Sequence, residues 1–253
     1  MTFEFTPGAH HLIPSTELGP IKTWSFSSLS KFEQCPYAVS LSKIEGIREP
    51  GGPAADRGSR IHANWEDYIT GDTDTLEDGG KKPDMAYALA IRTMYAEGLV
   101  EVEDEWVFTR DWSPTTHGAP DVWAVFKLDV FIRESPTSAR IIDHKSGKSF
   151  GNELKHNEQG RFYAIAALMR YPELDFVEVE FNYCDEGHIG NRKAWTRNDL
   201  PLFLPRLERR AVVMTTATSF PAKPSKHNCR WCRYKDEVVR EDGTPACIWG
   251  VLN

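Results

Sequence analysis

The chain reads as an α/β domain built around a mixed β-sheet. Three observations predict it. Helical periodicity dominates the first hundred residues, two-residue alternation takes over across 100–145, and after Gly151 helical segments again interrupt strands. The 253 residues, 40% hydrophobic and 26% charged, suit one large domain or one domain with appendages.

Element by element, Pro7, Gly8, Pro14, Gly19 and Pro20 make residues 1–22 an irregular lead-in. Serines at 25–30 offer N-caps, and Phe26, Leu29 and Phe32 fall at three-residue steps, so 25–36 predicts a short helix ended by Pro36. A Gly/Pro-rich loop over 48–58 precedes a helix starting near 57–59, with Ile61, Trp65, Tyr68 and Ile69 at helical spacing. Residues 70–83 are polar loop, and 84–98 is an amphipathic helix stopped by Gly98. Three strands follow, over 100–110, 122–133 and 140–145, the last two joined by turn residues 134–138. A helix over 153–170, a strictly alternating strand over 176–183 and a helix over 198–216 complete the pattern. From Phe220 the chain is rich in Pro, Lys and Cys, as in a small lobe held by a ligand. The divisions are therefore 1–22, a helical part 23–100, a core 101–219 and a Cys-rich tail 220–253.

Net charge is −7, which excludes a uniformly basic, nucleic-acid-coating protein but leaves room for a local basic groove. No basic start leads into an apolar run and no 18-residue apolar stretch occurs, so neither a secretory signal nor a membrane span is expected. The expected compartment is a reducing cytoplasm, where the five cysteines would bind metal or stay free.

The strongest chemical signal is Ile141-Ile142-Asp143-His144-Lys145-Ser146-Gly147-Lys148. Period-two geometry puts Asp143 and Lys145 on one side of a strand, addressing one point. The preceding strand runs its apolar residues into Asp129, and a hairpin would set Asp129 beside Asp143. Two converging carboxylates suit a hard divalent cation such as Mg²⁺ or Mn²⁺, and an adjacent ammonium can orient water and stabilise a phosphate under attack. Gln159 and Tyr163 lie four residues apart on one face of the next helix. Alone, the Asp-x-Lys is better read as a polar strand end, and Gln159 with Tyr163 can be read as a helix surface pair.

Together, in this order, they resemble the PD-(D/E)XK nuclease superfamily, in its RecB-like branch of CRISPR-associated and phage exonucleases. Residues 25–37 resemble that branch's N-terminal helix and cysteine, Arg57-Gly-Ser-Arg-Ile-His62 its histidine motif, Asp143-His144-Lys145 its (D/E)-x-K, and Gln159-Gly-Arg-Phe-Tyr163 its Gln-x-x-x-Tyr. The resemblance implies a restriction-endonuclease-like core. It implies a Mg²⁺ or Mn²⁺ site formed by His62, Asp129, Asp143 and the backbone carbonyl of His144. Asp129, Asp143, Lys145, Gln159 and Tyr163 would be the catalytic residues. Asp121 competes for the first acid; Asp129 is preferred because it follows an apolar run, whereas Asp121 caps a turn. The implied substrate is DNA, single-stranded or with free ends, in replication, recombination or repair. Arg161, Lys148 and Lys155 are candidates for phosphate contacts. A nuclease fold that binds nucleic acid without cutting it is the alternative.

Cys229-Arg-Trp-Cys232, then Cys247 and the distant Cys35, make a set of four thiols suited to zinc or an iron–sulfur cluster. The resemblance implies a 4Fe–4S cluster joining the chain's two ends. Structural Zn²⁺, with His227 as a possible substitute ligand, stays open because the last spacing is long. Cys184 is expected to be a buried thiol. Lys223, Lys226, Arg230, Arg233 and Lys235, with Trp231 and Tyr234, make either a DNA-facing strip or solvated loop charge.

Overall fold

A computed structural model describes residues 17–235 and 237–250; residues 1–16 of the expected lead-in lie outside them. In chain order the elements are α1 (Phe26–Gln34), α2 (Pro36–Lys43), α3 (Pro53–Thr70), α4 (Met85–Ala96), β1 (Val100–Val102), β2 (Glu105–Phe108), β3 (Pro114–Thr115), β4 (Ala124–Lys127), β5 (Val130–Ser135), β6 (Ser138–Lys145), α5 (Glu153–Arg170), β7 (Phe176–Tyr183), β8 (His188–Thr196), α6 (Leu200–Thr215) and a short α7 (Lys226–Cys229). A five-stranded sheet runs β1-β5-β6-β7-β8, and a smaller sheet runs β3-β2-β4. Among the strands of the described residues only β6 and β7 pair in parallel, which requires a crossover; α5 supplies it.

Prolines account for two departures from the sequence pattern. Pro36 ends α1, but at the first helical position of α2 its missing N–H costs nothing, so a second helix follows at once. Pro53 does the same for α3, which therefore starts ahead of the expected 57–59 and takes up part of the predicted loop. The expected strands over 100–110 and 122–133 are each two strands. The first breaks at Glu103, whose φ is +50°, and the second at Leu128–Asp129. The breaks face each other: Glu103 N–H donates to the Asp129 carbonyl (2.8 Å) and Leu128 N–H to that of Asp104 (2.9 Å). There the chain passes between the large and small sheets. β8 was not expected, because this edge strand is mostly exposed and shows no apolar alternation.

The large sheet is covered on both faces. One face, with Phe131, Ile141, Val179 and Phe181, packs in the main core with α1, α5 and α6. The other, with Val130, Ile132 and Ile142, packs against Ile61, Trp65 and Ile69 of α3 and Ala88 and Ile91 of α4. Alternation along β6 therefore sends Asp143 and Lys145 toward α5 and His144 toward α3. The Cys-rich segment rests on α2 through a small cluster of Ala38, Leu41, Tyr234 and Ala246. Among the described residues no helix is long and apolar enough to cross a membrane.

Candidate active site

The site forms where β6 ends and the two sheet breaks meet. β5 begins directly after Asp129, and its antiparallel register pairs Val130 with Ile142, so the next step sets Asp129 opposite Asp143. The two acids come together at the open end of this hairpin; the turn lies at the far end, over 135–138. Asp129 is buried and its Oδ2 accepts the His144 backbone N–H (2.6 Å). Its Oδ1 lies 3.0 Å from Nδ1 of His62 on α3. Asp121, the competing acid, is exposed in a turn.

On the α5 face, Lys145 Nζ stands 2.5 Å from Asp143 Oδ2 and donates to Gln159 Oε1 (3.1 Å). Gln159 Nε2 donates to Asp143 Oδ1 (3.0 Å) and to the Tyr163 hydroxyl (2.7 Å), and that hydroxyl donates to the same Asp143 oxygen (3.0 Å). The spacing of Gln159 and Tyr163 on α5 thus locks one carboxylate and aims one ammonium, a rigid arrangement rather than a mobile surface pair.

Glu103 is a residue the sequence reading missed. At the break between β1 and β2 it pairs with Lys127 (2.5 Å) and faces His62 at 3.9 Å. Candidate ligand atoms of His62, Glu103 and Asp129 lie within 4.8 Å of one another. Its only signal was an acid-rich stretch, Glu101 to Glu105, breaking an otherwise apolar alternation. Asp143 stands beside this trio, its Oδ1 engaged by Gln159 and Tyr163 of α5 and its Oδ2 by Lys145. The His144 ring is turned to the opposite face, stacked on Trp65 at 4.5 Å with Nδ1 accepting from Asn182 (3.0 Å), which leaves its main chain for any ligand role.

The electrostatics suit a cation. Burial and then the charge of Asp143 raise the pKa of Asp129. Burial opposes a charge on His62, but the hydrogen bond and charge of Asp129, backed by Asp143 and Glu103, raise its pKa overall. Burial and the charge of His62 and Lys145 keep His144 neutral. Crowded carboxylate oxygens with one imidazole nitrogen fit a hard divalent ion, which relieves the repulsion among the acids.

This constellation on this sheet is reflected in sequence: the profile described as the PD-(D/E)XK nuclease superfamily matches residues 23–236. The chain belongs to that superfamily. Nucleases of this kind use divalent metals, and the His62–Glu103–Asp129 group offers one a place. Among solved structures, a protein named SSO0001 aligns at 14% identity over 88% of each chain, with a TM-score of 0.49. A Eubacterium rectale protein, named provisionally as an exonuclease, aligns at 14% identity over 87% of this chain and 90% of its own, with a TM-score of 0.44. No curated protein matches the nuclease significantly.

The cysteines are all free thiols, and Cys35, Cys229, Cys232 and Cys247 line one cavity between α1, α2 and the C-terminal segment. Burial raises the pKa of Cys232 and Cys247, and for Cys247 the neighbouring thiols of Cys35 and Cys229 add to it. Cys184 is buried on the α3 side, with its thiol pushed up to about 12 by burial. The expected basic strip is corrected in part. Tyr234 is fully buried and donates to the Ile47 carbonyl (2.9 Å), because its ring fills the small core that seats the lobe. Arg233 is spent on Glu237 and the Gly51 carbonyl, and Lys223 on the Glu33 carbonyl. Arg161 lays its guanidinium over Phe203 at 4.4 Å instead of facing the site. Lys148 and Lys155 are exposed.

Proposed function

We propose that the nuclease is a Mg²⁺- or Mn²⁺-dependent deoxyribonuclease that degrades DNA from its ends. The observation that carries this reading is the Lys145–Asp143 pair, pinned by Gln159 and Tyr163 and set against the His62, Glu103 and Asp129 group. In this reading His62, Asp129, Asp143 and the main chain of His144 hold the metal, with Glu103 adjoining. The ion supplies charge stabilisation at the phosphate and a more acidic water. Lys145 positions the attacking water and offsets the charge that develops on the phosphate. Gln159 keeps the Lys145 ammonium on the Asp143 side, and Tyr163, its pKa raised by burial and then by Asp143, stays a protonated donor. Exposed Lys148 and Lys155 give phosphate affinity without reading sequence. The resemblance of its motifs to the RecB-like branch supports a role in DNA replication, recombination or repair, in the cytoplasm.

The four cysteines are proposed to hold a 4Fe–4S cluster. A tetrahedral zinc, with Zn–S of about 2.3 Å, would draw its thiolates to within roughly 4 Å of each other. A cubane sets four irons between its thiolates, and Cys35, Cys229, Cys232 and Cys247 all line one cavity. Iron, sulfide and zinc content after anaerobic purification decides between the two.

The test of the activity is a labelled DNA with free, 5′-blocked or 3′-blocked ends, incubated with Mg²⁺, Mn²⁺ or a chelator. Degradation that needs metal and stops at one type of blocked end supports the reading. Cutting in chelator overturns the metal role, and cutting of circular DNA overturns the end-dependent one.

A further inference from the structure

Six of the eight tryptophans are buried, each at most 8% exposed. The other two, Trp231 and Trp249, are 81% and 55% exposed, and both lie in the C-terminal lobe. They are expensive to leave in water, and they are not scattered: both line the same groove of about 800 Å³. That groove is continuous with the active site, because Gln159, the residue that aims Lys145, is part of its wall.

The opposite walls are polar. On α1 the apolar residues Phe26, Leu29 and Phe32 are buried, and the other face presents Ser27 and Ser30 to the groove. This explains the serine-rich segment, which the catalytic chemistry does not use. On α5, Lys155 lies one turn before Gln159, lines the groove and is exposed, with no ion pair among the described residues. The groove's acids are already balanced: Glu33 and Glu158 by Arg210, and Glu49 by Lys31. Arg230 sits over the Trp231 ring at 5.0 Å, which supports that indole as a platform.

From this we infer that the groove is a binding site for an unpaired nucleic-acid strand. Trp231 and Trp249 stack its bases, and Ser27, Ser30 and Lys155 face its sugar–phosphate chain as it runs toward Lys145. The inference rests on the nuclease reading above and adds the strand's path. Indoles can stack only on bases that are not already sandwiched in a duplex, so the groove selects single strands or frayed ends. The cysteines share this cavity, so the strand would pass directly over the group they hold.

The test measures binding of labelled oligo(dT) and of a closed-end hairpin duplex with Ca²⁺ in place of Mg²⁺. The proteins are wild type, Trp231→Ala, Trp249→Ala and Trp231→Phe, each checked for unchanged melting and metal content. Each alanine variant is expected to weaken oligo(dT) binding by roughly 10-fold, the usual loss for one stacking platform, with duplex binding unchanged and Trp231→Phe close to wild type. Unchanged oligo(dT) binding by both alanine variants overturns the inference, as does an equal loss on duplex. Those outcomes stand apart from failure of the nuclease reading, which would show as DNA left intact by the wild-type enzyme in Mg²⁺ and Mn²⁺.

Discussion

The end of β6 and the C-terminal lobe are built on opposite principles. At the end of β6, Asp143, Gln159, Tyr163 and Lys145 saturate one another with hydrogen bonds, on a strand buried between two cores. Their positions follow from backbone register and the α5 crossover, and no ligand is needed to set them. Among the described residues the lobe buries only Cys229, Tyr234 and Ala246, the last two against Ala38 and Leu41 of α2, and its three thiols share one cavity with Cys35. So small an apolar cluster cannot by itself offset the ordering of some thirty residues. The groups at the end of β6 are preorganised by folding, whereas the lobe is proposed to depend on a group held by its cysteines.

That contrast can be broken in several places. The largest effect is expected for Asp143→Asn, which keeps the shape but leaves Lys145 without its counter-charge. DNA cleavage should fall by about 10³-fold with a melting temperature within a few degrees of wild type. A collapse of the fold would mean that the network is structural first. Next, Cys229→Ser with Cys232→Ser should open the segment beyond Phe220 to limited proteolysis at least ~10-fold faster, with the core's melting barely moved. Equal protection in mutant and wild type would show that the lobe stands without a ligand. Glu103→Gln should raise the Mg²⁺ concentration for half-maximal cleavage by about 10-fold, since it adjoins His62 and Asp129 without contacting Lys145. An unchanged metal requirement would remove Glu103 from the site.

The smallest effect concerns pH. His156 is packed on Phe181 with its Nδ1 2.8 Å from the Tyr183 hydroxyl, and burial, then the charge of Lys145, lowers its pKa to about 4. In the unfolded chain it titrates near 6.5, so unfolding takes up a proton in between. Its contribution to stability is complete above about pH 6.5 and is lost as the pH falls toward 4. The urea midpoint of the metal-free protein should fall over that window, less steeply in His156→Gln. Identical slopes would contradict a neutral, buried His156.

Much of this was legible beforehand because it rests on period and spacing. Alternation placed Asp143 and Lys145 together, the four-residue step joined Gln159 to Tyr163, and α5 and β7 run as their patterns indicated. What escaped depends on long-range packing. Glu103 reaches His62 only because the breaks in two strands face each other, and no local signal announces a change of sheet. β8 gains its place from pairing with β7, not from its own residues. Tyr234 was taken for a surface aromatic in a polar tail, but the tail folds back on α2 and buries it.

The most direct test of the central claim compares wild type with Lys145→Ala on labelled linear DNA in Mg²⁺ and in Mn²⁺. Lys145 lies 2.5 Å from Asp143 and is aimed by Gln159, so its loss should cut the rate by about 10²-fold or more while metal binding and folding persist. Degradation at the wild-type rate by Lys145→Ala would contradict the account.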